Sequence, residues 1–188
     1  EQLLSCIGEF LVMNIVLCGM MGVGKSTVGI RIAELTGRRW IDTDIVITDR
    51  YGRISDLFEY YGEAHFRELE TKVVKELSGQ DGLVISTGGG LVLKPENNEM
   101  LKRNGKIFFL RASFETLLAR VRADETRPLL KDTGKTAEKL GELMAWRTPV
   151  YEHVADYIVD TDARTAEDVA SDVLKIFREA EEGKAAEG

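Results

Sequence analysis

Gly19-Met20-Met21-Gly22-Val23-Gly24-Lys25-Ser26-Thr27 fits the pattern G-x-x-x-x-G-K-[ST] without a mismatch. An apolar run, Ile15-Val16-Leu17-Cys18, precedes it, and Val28, Ile30, Ile32, Ala33 and Leu35 follow at helical spacing. Strand, glycine-rich turn and helix together make such a pattern a phosphate-binding loop. Backbone N–H groups in the turn converge on phosphate oxygens, and the helix N-terminus adds positive potential. The expected ligand is a nucleoside triphosphate held along Gly22, Val23, Gly24, Lys25, Ser26 and Thr27. Lys25 is expected to reach the β- and γ-phosphates, and the Ser26 hydroxyl to ligate Mg²⁺. A glycine-rich turn that binds nothing would leave Lys and Ser in register by accident.

On either side of this loop, short apolar segments alternate with helical ones. Arg39-Trp40-Ile41 leads into Asp42-Thr43-Asp44, a second strand ending in two carboxylates. The pattern is helical from Ile54 to Leu77 with a break at Gly62, and Ser55 is the expected N-cap. Glu63, Arg67 and Glu70 share one face of that helix. Leu83-Val84-Ile85 is a third strand, closed by Ser86-Thr87-Gly88-Gly89-Gly90. A helix is expected from Pro95 to Asn104-Gly105, with Gly105 just past its end. Ile107 to Leu110 makes a fourth strand, and Ser113 caps a helix turning Leu117, Leu118 and Val121 inward. Residues 124–135 are polar, punctuated by Pro128 and Gly134. A helix is expected from about Ala137 to Val154, with Pro149 tolerated only as a kink or near a break. Asp156 to Asp160 is a fifth strand. Thr165 caps a final helix with Ala166, Val169, Ala170, Val173, Leu174 and Phe177 on one stripe. Alternation of this kind predicts an α/β fold, a parallel sheet covered on both faces. Ligands in such sheets bind beyond the carboxyl ends of the strands, where the loop, Asp42/Asp44 and Gly88–Gly90 all fall.

Composition narrows the function. One domain is expected from 188 residues, and 44% apolar residues can fill its core. A net charge of −7 argues against tracking a nucleic-acid backbone. No apolar run reaches membrane-spanning length. Two cysteines, Cys6 and Cys18, cannot make a zinc site, and a buried Cys18 would suit a reducing compartment. His65 and His153 have no ligand-spaced partners. A cytoplasmic monomer is expected. Residues 1–12 are read as an appendage, 13–178 as the domain and 179–188 as a solvated, frayed tail.

A phosphate loop serves kinases, switches and motors alike. The guanine-reading N-K-x-D of a GTPase is missing, and the D-x-x-G match at Asp49–Gly52 falls in a helical stretch. The third strand ends in Ser-Thr-Gly-Gly-Gly in place of the usual metal-binding Asp, so bare backbone is offered to a substrate. In order and spacing, GMMGVGKST, DTD at 42–44, ISDLFEYYGEAHFRELE at 54–70, STGGG at 86–90, TRPLL at 126–130 and MAWRTPVYEHVAD at 144–156 resemble the shikimate kinases. The resemblance runs from Met13 to about Phe177.

It implies a three-layer α/β/α sandwich on a five-stranded parallel sheet, of the nucleoside-monophosphate-kinase-like class. It implies ATP and Mg²⁺, and transfer of the γ-phosphoryl group to the 3-hydroxyl of shikimate. By the same resemblance Arg67 and Arg147 bind the shikimate carboxylate, with Glu70 and Glu63 orienting Arg67. Asp44 accepts substrate hydroxyls and is the candidate base. Gly88, Gly89 and Gly90 line the ring, and Asp42 holds Mg²⁺ through water. Arg127 reaches the transferring group from a lid over 124–135, Arg120 packs on adenine, and Phe58 and Phe66 wall the pocket. Gluconate and nucleoside-monophosphate kinases share the fold, but no base-reading acceptor pocket is visible.

Overall fold

In the computed structural model, residues 13–123 and 133–187 are described. Five parallel strands form one sheet: β1 (Asn14–Cys18), β2 (Arg39–Asp42), β3 (Leu83–Ser86), β4 (Gly105–Arg111) and β5 (Tyr157–Asp160). Their spatial order is β2-β3-β1-β4-β5. Seven helices accompany them among the described residues: α1 (Lys25–Thr36), α2 (Thr43–Tyr51), α3 (Ile54–Leu77), α4 (Pro95–Arg103), α5 (Phe114–Ala123), α6 (Thr133–Val154) and α7 (Ala166–Glu187). A short 3₁₀ turn covers Leu91–Leu93.

The inner strands have no solvated face. Ile15, Val16, Leu17, Val84, Ile85, Ile107 and Phe108 are all fully buried, as a sheet sandwiched between helices requires. Helix α1 packs against α7, α3 against α4, and α4 and α6 both reach β4. Buried Asn14 ties the lower ends of two strands together. Its side chain donates to Gln80 O (2.8 Å) and accepts from Leu83 N (2.7 Å).

Sheet order decides where function can sit. Strands β2, β3 and β1 are neighbours, so the residues that follow each of them lie side by side at the carboxyl edge. Those residues are Asp42–Asp44, Gly88–Gly90 and the phosphate loop, three stretches far apart in sequence.

Several local expectations hold. Helix α3 spans Ile54–Leu77 and is interrupted at Gly62, whose φ of 80° and ψ of 171° leave the helical region. Ser113 Oγ accepts from Thr116 N (3.3 Å) at the start of α5. Thr165 and Asp168 cap α7 reciprocally, each side chain accepting from the other's backbone N–H at 3.1 Å.

Others need correction. Ser55 is not the cap of α3: Arg53 precedes the helix, and its guanidinium pairs with Asp56 in the first turn through two bonds of 3.0 Å. Gly105 does follow the end of α4, but without the positive φ of a glycine that terminates a helix. It opens β4, buried, where a Cβ would lie 2.8 Å from Leu101 O. Helix α6 starts at Thr133, before the expected Ala137, and continues past Pro149 to Val154. The backbone of α7 is helical to Glu187, through most of the stretch read as frayed.

Candidate active site

The phosphate loop leaves β1 through Gly19 and enters α1 at Lys25. Gly24, at the helix start, has φ of 101°, a left-handed conformation that costs glycine little. Lys25 Nζ donates to Gly19 O (2.9 Å) and Met20 O (3.0 Å), which holds the ammonium across the mouth of the loop.

Asp42 has two tasks. Its Oδ1 accepts from Asp44 N (3.0 Å) and Ile45 N (3.3 Å), capping α2, while Oδ2 accepts from Ser26 Oγ (2.7 Å). With Asp42 as the cap, the Asp44 side chain lines the cleft. That cleft, of about 600 Å³, is lined by Met21, Gly22 and Gly24 to Thr27 of the loop and by Asp42, Asp44, Ile45, Thr87, Gly89, Arg120 and Arg147.

Each glycine after β3 lies against a different side chain. A Cβ on Gly88 would overlap Asp44 Oδ1 and lie 3.1 Å from Glu70 Oε1. On Gly89 it would stand 3.1 Å from Arg147 Nη1, and on Gly90 it would fall into the Arg67 guanidinium, 2.5 Å from its Cζ. The segment is held from behind. Gly88 N donates to the buried Thr43 Oγ1 (2.8 Å), and Tyr151 Oη donates to Gly89 O (2.6 Å).

Arg67 is fixed by both predicted carboxylates. Nη1 donates to Glu70 Oε2 (2.7 Å), and Nη2 donates to Glu63 Oε1 (2.9 Å). It lines a neighbouring cavity of about 280 Å³ with Glu63, Gly90, Leu93, Lys94, Pro95 and Trp146. Arg147 lines the main cleft, its Cζ 5.6 Å from the Trp146 ring centre.

Glu70 is 1% exposed. Burial lifts its carboxyl above the usual carboxylate range, Arg67 opposes that, and the Asp44 charge adds to it. A carboxyl with a raised folded pKa binds its proton more tightly in the native chain than in the unfolded one. Its stabilising contribution is complete below the ordinary carboxylate pKa and is lost as pH rises through the folded value. Arg67→Ala removes the opposing cation and leaves a buried charge unpaired, at a cost of about 3–5 kcal/mol near neutral pH. Thermal melts between about pH 4 and 8 should therefore fall more steeply in Arg67→Ala than in the wild type, and less steeply in Glu70→Gln. Parallel curves for all three would remove Glu70 as the titrating group.

Beside the main cleft lies a cavity of about 270 Å³ lined by Gly22, Val23, Gly24, Thr27, Val28, Arg120, Thr161, Arg164, Thr165, Ala166 and Val169. Arg120 spans both spaces, and its Nη1 donates to Val23 O (3.1 Å). Sequence reasoning missed the contribution of residues 161–169: Thr165 was legible as a cap, but not as a wall. Phe66 is buried, and Phe58, with its ring centre 4.8 Å away, is partly exposed. Neither is among the residues lining these cavities. Cys18 is buried, and burial pushes its thiol up to about 12. Arg127, expected to reach the transferring group, lies outside the described residues.

A loop built for phosphates beside a pocket with carboxylate and guanidinium walls defines a phosphate-loop kinase for a small anionic acceptor. The family model described as shikimate kinase matches residues 21–178. A shikimate kinase of Geobacter sulfurreducens is 44% identical over 167 residues, 88% of this chain and 91% of that protein. One from Caldicellulosiruptor bescii is 44% identical over 87% of this chain and 94% of its own length. The solved shikimate kinase of Acinetobacter baumannii, in complex with shikimate, superposes with a TM-score of 0.84 at 38% identity, covering 93% of this chain and 98% of its own. A gluconokinase of Sinorhizobium meliloti shares the fold, with a TM-score of 0.61 at 18% identity. The chain belongs to the shikimate kinase family.

Proposed function

We propose that this chain transfers the γ-phosphoryl group of ATP to the 3-hydroxyl of shikimate, with the site residues acting as follows. The observation that carries the assignment is the alignment of Asp44, Arg147 and Arg67 along Gly88–Gly90, beside the phosphate loop. Shikimate carries a carboxylate at one end and hydroxyls at the other. Guanidiniums suit the first by paired charge-assisted bonds, and a carboxylate accepts from the second.

ATP lies with its phosphates along Gly22–Thr27 and its base toward the cavity between Arg120 and Thr165. The acceptor oxygen forms a bond to the γ-phosphorus as the bond to the β-phosphate oxygen breaks, and ADP leaves. The transition state is loose, so alignment and charge stabilisation supply most of the acceleration. Lys25 leaves the Gly19 and Met20 carbonyls to hold charge on the transferring oxygens, and Arg127 adds a second cation. Asp44 orients the hydroxyl and takes its proton.

Ser26 Oγ and Asp42 Oδ2, 2.7 Å apart, are hard oxygen donors at the phosphate end of the cleft, which suits Mg²⁺. Among the described residues no cluster of three or more acidic, histidine or cysteine side chains could hold a metal, in keeping with an ion that arrives on the nucleotide. When bound, Mg²⁺ neutralises charge on the β- and γ-oxygens. Among the described residues no helix is long and apolar enough to cross a membrane. We place the enzyme in the cytoplasm, as a monomer.

The test is ATP turnover with shikimate beside gluconate and nucleoside monophosphates, followed by coupled ADP release. Shikimate should be the preferred acceptor by kcat/KM. Faster phosphorylation of either competitor would overturn the acceptor and leave the kinase class intact.

A further inference from the structure

Trp40 lies on the edge strand β2, two residues before Asp42 and on the same side of the sheet. Its register partner on β3 is Val84, while Asp42 pairs with Ser86. The indole therefore reaches diagonally across the strand pair. Nε1–H donates to Ser86 Oγ (3.0 Å), and Ser86 Oγ–H donates to the backbone carbonyl of Lys25 (2.9 Å). Helix α1 leaves room for this chain only because residue 29 is glycine. A Cβ there would lie 2.6 Å from Trp40 Nε1 and 2.7 Å from Ser86 Oγ.

We propose that Trp40 is a positioning residue for the phosphate loop, acting through Ser86 on the first turn of α1. The proposal rests on the reading of that loop as the ATP site. Lys25 opens α1 directly after Gly24, and the helix start has no side-chain cap. A carbonyl bonded from β3 ties that start to the sheet. The bond comes from a hydroxyl whose own direction is set by the indole N–H, since a serine free to rotate could turn its proton elsewhere. Filling an edge groove would need only an apolar ring; it would need neither the N–H nor the missing Cβ at Gly29.

The two readings separate in kinetics. Trp40→Phe keeps a ring in the groove and removes the donor. It should raise KM for ATP about three- to tenfold, the loss of one ordinary hydrogen bond. KM for shikimate should stay unchanged, because the bond removed reaches the phosphate loop and not the guanidiniums that face the acceptor. Ser86→Ala should do at least as much, and the double variant should be no worse than Ser86→Ala alone. The chain has two indoles, so in a ¹⁵N-labelled full-length sample the Trp40 N–H peak is the one lost in Trp40→Phe. MgADP should shift that peak in the wild type and leave it unmoved in Ser86→Ala. A lower melting temperature with unchanged KM for ATP, equal changes in both KM values, or additive effects in the double variant would overturn the proposal. Should Trp40→Phe fail to fold, Ser86→Ala carries the same comparison. A wild type that binds ATP normally beside an unaltered Trp40→Phe sinks this proposal alone. A wild type that binds no ATP overturns the nucleotide site, and the proposal with it.

Discussion

Asp44→Asn is expected to lower kcat by about a hundredfold to ten-thousandfold, the range for removing a positioned acid–base group. The substitution preserves shape and removes charge. It is a clean experiment because Asp42, not Asp44, caps α2: the Asp44 backbone N–H goes on donating to Asp42 Oδ1 at 3.0 Å whatever the side chain is. The loop, Ser26 and Asp42 keep their bonds, so KM for ATP should barely move. Asp44 Oδ1 and Oε1 of the buried Glu70 both border the space beside Gly88. Steady-state kinetics with both substrates varied would decide. A loss of less than about tenfold would mean that Asp44 neither accepts the proton nor orients the hydroxyl.

The second large effect is at the other end of the acceptor. Arg147→Ala should raise KM for shikimate about tenfold to a hundredfold, the worth of a charge-assisted pair, with KM for ATP little changed. Arg67 has the same side chain but a different environment. Two carboxylates, Glu63 and Glu70, already balance its charge within 2.9 Å, whereas Arg147 has a buried Nε with no hydrogen-bond partner and borders the main cleft. Arg147 should therefore carry the larger share of carboxylate binding, and Arg67→Ala should lose more in stability than in KM. Measuring KM for shikimate in both variants, with melting temperatures alongside, tests that order. A larger KM effect in Arg67→Ala would reverse the assignment.

Much of this site was legible because its parts are local. The phosphate loop is nine consecutive residues in a fixed pattern, and the Glu63, Arg67 and Glu70 face follows from helical spacing alone. The break at Gly62 was visible for the same reason. What stayed hidden depends on which strands become neighbours. Trp40 and Ser86 are 46 residues apart, and nothing in either stretch says that β2 lies beside β3. Which residue caps α2 was not legible, because Asp42 and Asp44 both suit the role and only the boundary of β2 separates them. The close approach at Gly105 stayed hidden because a glycine after a helix reads the same in sequence whether it relieves a backbone or clears a space.

Gly88, Gly89 and Gly90 answer to three different partners, Asp44, Arg147 and Arg67. For a lineage exploring new acceptors, a side chain at 88 or 90 would overlap Asp44 or Arg67 and one at 89 would crowd Arg147, each a group proposed to bind the present acceptor. The open route begins on the far side, with a shorter residue at 44, 67 or 147, and only then can its own glycine fill in. Change of specificity in this scaffold would thus be an ordered pair of substitutions, with a weakened enzyme as the intermediate.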